Sequence, residues 1–204
     1  MNKPYIVGLA GGSGSGKSSF IRDLAALLPP AVVAVVQQDN YYLPRSQQKA
    51  DGNGKINFDV PDAIDRKTLF NDVEMLRNGC PVEKEEYTFN HPDKKPQILT
   101  IAPAPIVFVE GLFVFHFSEL ARLFDVRIFL DADDSVMLER RLLRDASERG
   151  YPMEEVLYQW HHHVMPAYQQ FLMPYRSEAH IVVNNNTDYR KALEVMADHL
   201  HSII

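Results

Sequence analysis

Gly11-Gly12-Ser13-Gly14-Ser15-Gly16-Lys17-Ser18 sets four glycines, one cation and a closing hydroxyl in the spacing G-x-x-x-x-G-K-[ST], with Ser19 directly behind. A run of this kind cradles the phosphates of a nucleoside triphosphate. Its glycines let the backbone turn N–H groups inward around anionic oxygens with no Cβ in the way. Lys17 supplies a point charge for the β- and γ-phosphates, and the Ser18 hydroxyl is the expected ligand of a bridging Mg²⁺.

Two carboxylates stand where such chemistry needs them. Asp39, just after the apolar run 31–37, can accept the proton of an attacking hydroxyl or hold Mg²⁺ through water. Glu110 ends the run Pro105 to Val109 and is the second candidate for the metal region, near Ser18 and Asp39. Downstream, Arg140, Arg141, Arg144 and Arg149 fall at helical spacings that gather guanidiniums on overlapping faces. A planar, permanently charged fork suits the clamping of a migrating phosphoryl group, so the segment reads as an arginine lid. The plainer alternative is a solvated face paired with Glu139, Asp145 and Glu148.

Tyr87 and Phe89 lie two apart, with His91 next, in a stretch patterned as a β-hairpin of about 82–102. On a strand the three would share one face, giving a stacking surface for a planar base with a polar tip, or else a small satellite core. The triplet His161-His162-His163 is not a metal site on this reading, because consecutive helical residues point about 100° apart.

The elements that must position these groups alternate. Strand-like runs at 5–10, 31–37, 105–109, 125–130 and 179–183 are separated mostly by helical patterning, as at Ser18 to Leu28, Asp65 to Asn78, Asp133 onward, Met153 to Phe171 and Tyr189 to His201. That predicts an α/β fold, a doubly wound parallel sheet with ligands beyond the carboxyl ends of its strands, in one domain carrying the hairpin lobe and a lid at about 140–152. The loop Asn184-Asn185-Asn186 falls at that ligand edge, in reach of an adenine. Twenty-seven acidic against 21 basic side chains, a formal charge of −6, argue against a general nucleic-acid binder. The lone Cys80 forms no internal disulfide, and no run resembles a membrane span or signal peptide, so a cytoplasmic setting is expected.

With GGSGSGKSS, QDNYY, NFDVPDAID, the VEGLFVF strand exit and ERRLLRDASERG in order, the chain resembles the uridine kinase (uridine–cytidine kinase) family over essentially its whole length. The resemblance implies a phosphate-loop kinase that moves the γ-phosphoryl of ATP (or GTP), with Mg²⁺, onto the 5′-hydroxyl of a nucleoside. It implies Asp39 as catalytic base, Asp59 on the ribose hydroxyls and Ser18 with Glu110 at the metal. Arg144 and Arg149 would be lid arginines on the phosphates, and Tyr42, Phe58, Tyr87, His91, Arg141 and Gln159 the nucleoside pocket. It also implies a homo-oligomer, a tetramer, with no membrane partner. Two departures bear on which base is accepted: Thr88 stands for an acid before a shortened spacer, and Tyr151 for the arginine after the lid's Arg-Gly. A kinase for nicotinamide riboside or another alcohol, and a GTPase-like switch, are the rival readings; against the switch, no N-K-x-D guanine motif is present.

Overall fold

A computed structural model describes residues 3–89, 95–147 and 149–204. Five parallel strands, β1 (Tyr5–Gly11), β2 (Val33–Gln37), β5 (Ile106–Gly111), β6 (Val126–Asp131) and β7 (Ile181–Asn184), lie in the order β2-β5-β1-β6-β7. β1 pairs with β5 on one side and β6 on the other, so the chain's first strand is the centre of the sheet. Its burial is near complete, as a strand covered on both faces requires.

Alternation along the strands feeds two cores. Val7, Leu9, Phe108 and Ile128 face α1 (Lys17–Ala26) and α8 (Arg190–His201) through Phe20, Leu24, Met196 and Leu200. Ile6, Val107, Val109 and Phe129 face the other layer, which includes α2 (Arg66–Arg77), the 113–124 segment with α3 (Ser118–Ala121), α4 (Asp134–Ser147) and the 153–176 column. Side chains of this kind contribute about 1.5–3 kcal/mol each when fully buried. The helices on both faces are those the alternating pattern predicts.

The strand and helix bounds shift in places, each for a local reason. β2 starts at Val33 rather than at 31, because Pro30–Val32 forms a 3₁₀ turn. Asp65 caps α2 by accepting from the Thr68 amide, and Gly79 takes φ 79° just beyond its end, as expected from the sequence. The 153–171 helix instead runs to Arg176 as α5 (Met153–Gln159), a π turn (Trp160–Val164), α6 (Met165–Ala167), a second π turn (Tyr168–Leu172) and α7 (Met173–Arg176). Pro166 and Pro174 each follow a π turn. A proline clashes with the carbonyl four residues back, here that of His162 or Gln170, and both of these lie inside the widened turns.

The hairpin is shorter than the pattern suggests. β3 (Val82–Glu85) pairs antiparallel with β4 (Ile98–Ile101), and Tyr87 and Phe89 lie past the strand's end. Phe89 takes a left-handed φ of 49°, so the strand alternation that would put Tyr87 and Phe89 on one face does not apply. His91 lies outside the described residues. Among those described, no helix is long and apolar enough to cross a membrane.

Candidate active site

The glycine loop leaves the carboxyl end of β1 and runs into α1. Gly14 and Gly16 take φ 84° and 97°, the conformation that only glycine adopts without strain, and Gly16 caps the helix. The loop is clamped from behind: a Cβ on Gly14 would collide with the Met137 carbonyl, and the buried Asn185 donates 2.8 Å to the Ser15 carbonyl. The 184–186 turn is thus built into the phosphate loop's support, with Asn186 accepting from the Asp133 amide.

Lys17 bends over the loop, donating 3.0 Å to the Gly11 and Gly12 carbonyls. Desolvation holds its pKa below the usual lysine value, against the pull of Glu110 and Asp39. Glu110, buried at the end of β5, accepts 2.8 Å from the Ser18 hydroxyl, and burial raises its pKa despite Lys17. Mg²⁺ usually takes one or two carboxylates and completes its shell with water and phosphate oxygens. A serine–glutamate pair beside a phosphate cradle fits that ion. No group of three or more His, Cys, Asp or Glu suited to a metal forms among the described residues, and His161 and His162 are exposed while His163 is buried.

Over the loop sits an arginine cluster with an anionic centre. Asp145, with no exposed surface, lies 3.2 Å from Nε of Arg141, 2.8 Å from Nε of Arg144 and 3.6 Å from Nη1 of Arg149. Arg141 and Arg144 also donate to the Ser13 hydroxyl at 2.9 and 3.3 Å, which ties the lid to the loop. Arg140 does not join them; its guanidinium donates to the Asn185 carbonyl. The spacing 141, 145, 149 is the signal that could have found Asp145 as the centre; from sequence it is named only among the acids of a solvated face.

The same cleft continues away from the loop. Asp39 lies 3.5 Å from Nη2 of Arg149, whose guanidinium stacks 3.8 Å from the Phe89 ring centroid. Buried Asp59 is 3.6 Å from Arg141, which donates 2.8 Å to Gln159. Tyr42, Phe58, Tyr87 and Phe89 form an aromatic wall, with Tyr42 centroids 5.7, 5.2 and 6.4 Å from the other three and Tyr87 to Phe89 at 5.1 Å. Tyr151 lines this end as well; burial raises its pKa against the pull of the Arg45 charge, and the Arg45 guanidinium is 6.0 Å from the Phe58 ring. A guanidinium therefore stands near residue 151 after all, supplied by another loop. Ser13, Lys17, Ser18, Asp39, Glu110 and the three lid arginines share one cleft with Asp59, Gln159 and the four aromatics. His163 in that cleft had no sequence signal beyond its place in the triplet.

A loop on the central strand of a 2-5-1-6-7 parallel sheet, an acid at the end of the adjoining strand and guanidiniums folded over the phosphate cradle make this a phosphate-loop kinase. The chain belongs to the phosphoribulokinase / uridine kinase family, whose profile matches residues 6–190. Over 204 residues it is 35% identical to a uridine kinase of Staphylococcus carnosus, covering 100% of this chain and 98% of that one. A uridine kinase of Macrococcus caseolyticus is 34% identical over 204 residues, with 100% and 99% coverage. The phosphoribulokinase of Rhodobacter spheroides superimposes with a TM-score of 0.63 at 16% identity, over 90% of this chain and 71% of that one, a likeness of fold.

Proposed function

We propose that this protein transfers the γ-phosphoryl group of ATP to the 5′-hydroxyl of a pyrimidine ribonucleoside, uridine or cytidine, giving ADP and the 5′-monophosphate. The observation that carries the reading is the position of Asp39. It lies in one cleft with Lys17, Ser18 and Glu110 on the phosphate side and with Asp59 and the aromatic wall on the other. The curated relatives named uridine kinase support the acceptor class.

In this reading the loop and Lys17 hold the β- and γ-phosphates, and the aromatic wall stacks the base. Asp59 accepts from the ribose hydroxyls. Asp39 takes the proton of the 5′-hydroxyl as its oxygen bonds to phosphorus and the bridge oxygen leaves with ADP. Arg144 and Arg149 meet the charge on the transferred group with preset donors. Ser18 and Glu110 would hold Mg²⁺, which when bound neutralises charge on the β- and γ-phosphates.

Product analysis tests it. Incubation with γ-labelled ATP, Mg²⁺ and uridine or cytidine should move label onto the nucleoside. Release of label as free phosphate alone would fit a hydrolytic switch instead. Activity confined to a different alcohol, such as nicotinamide riboside, would overturn the acceptor while leaving the kinase.

A further inference from the structure

His163 is the one member of the histidine triplet drawn inside, only 2% exposed, and it lines the cleft beside Ile56, Phe58, Asp59 and Gln159. Its Nε2 lies 2.8 Å from Oδ2 of Asp51. That carboxylate is saturated with donors: the Tyr158 hydroxyl at 2.7 Å and the Asn53 and Lys55 amides at 2.9 Å each. Those bonds, the one from Tyr158 foremost, hold Asp51 below the usual carboxylate range, so it is an anion that can only accept. Nε2 must therefore carry a proton toward Asp51, which leaves Nδ1 as the ring nitrogen free for a second partner. Among the described residues Nδ1 has no hydrogen-bond partner.

A buried polar atom without a partner is costly, and a ring fixed by a charged partner on its far side cannot turn to find one. We infer that the Asp51–His163 pair is a specificity-determining element of the acceptor site, in which Nδ1 of His163 accepts a hydrogen bond from an N–H or O–H of the bound nucleoside. This deepens the nucleoside kinase reading and rests on it. Asp51 is then a positioning residue, acting through the imidazole. The competing account is purely structural: the pair pins the loop closed by the Ala50–Ile56 bridge to the helical column.

Two substitutions separate these accounts. In His163→Gln the amide nitrogen falls near Nε2, keeping the Asp51 contact and losing Nδ1; in His163→Asn the amide falls near Nδ1 and the Asp51 contact is lost. The inference expects H163Q to raise KM for uridine about tenfold or more, with KM for ATP and Tm little changed, and H163N to lose less. Equal losses, the reverse order, or an unchanged KM for uridine in H163Q would make His163 a structural latch and overturn it. In the unaltered protein the Nδ1 ¹⁵N resonance of His163 should move on saturation with uridine and not with ATP alone; a resonance indifferent to uridine would also overturn it. A native protein that phosphorylates no nucleoside is a different outcome, because it removes the acceptor reading itself.

Discussion

Nη2 of Arg149 stands 3.5 Å from Oδ2 of Asp39, so the residue assigned as base is held beside a lid guanidinium. The contact couples Asp39 to the arginine cluster that sits over the phosphate loop. Asp39→Asn preserves size but cannot take a proton. It should lower kcat about 10²-fold or more while leaving ATP affinity near the native value. Steady-state kinetics with an independent ATP-binding measurement checks this; weakened ATP binding with unchanged kcat would make Asp39 a metal or capping residue.

Asp145 is the counter-charge on which Arg141, Arg144 and Arg149 converge. Removing one member of a buried ionic cluster strands the others, a loss of about 3–5 kcal/mol. Asp145→Asn should therefore lower stability by that order in chemical denaturation. It should also raise KM for ATP, because the arginines lose their fixed geometry. Native stability together with native ATP kinetics would show that the three arginines are oriented by other contacts.

The opposing shifts of Lys17 and Glu110 predict a narrowed pH window. Desolvation lowers Lys17, so it loses its proton below the ordinary lysine value of about 10.4; burial raises Glu110, so it gains one above the ordinary glutamate value of about 4.3. The competent pairing, cationic Lys17 with anionic Glu110, exists only between the two. The pH profile of kcat/KM for ATP should fall off inside those limits on both sides, and Lys17→Arg should abolish the alkaline limb. A native profile flat to pH 10 would count against the lysine's role.

Asp59, only 7% exposed, is the residue proposed to accept from the sugar hydroxyls. A substrate lacking the 2′-hydroxyl leaves that carboxylate short of a donor, at a cost of about 1–3 kcal/mol. Uridine should exceed 2′-deoxyuridine in kcat/KM by roughly tenfold or more, and Asp59→Ala should raise KM for uridine and shrink the difference. Equal kcat/KM for the two sugars would reject the assignment.

How far the sequence reached depended on whether a group's partners lie on its own stretch of chain. The signature of the phosphate loop lies within one run, its lysine bonded to glycine carbonyls of that run, and the alternation of apolar runs laid out the sheet and its ligand edge. The arginine lid was half legible. Helical spacing showed that guanidiniums would gather, but Asp145 as their centre and the diversion of Arg140 to Asn185 depend on packing against distant segments. The aromatic wall was found by residue type and misplaced by period: β3 ends at Glu85, and the four rings meet from three loops, Tyr87 and Phe89 sharing one. His163 and Asp51 stand 112 residues apart, a pairing no local pattern announces.

The clamp on the phosphate loop has a consequence for how the protein is made. Asn185 reaches the Ser15 carbonyl across 170 residues of sequence, and the loop rides on a central strand whose neighbours β5 and β6 both follow it in the chain. A nascent polypeptide that has already displayed its glycine run still lacks the brace that fixes it until the 170 residues leading to Asn185 have been added. The cradle for nucleotide is thus completed by late-made parts of the fold, so its final shape follows the assembly of the sheet rather than preceding it.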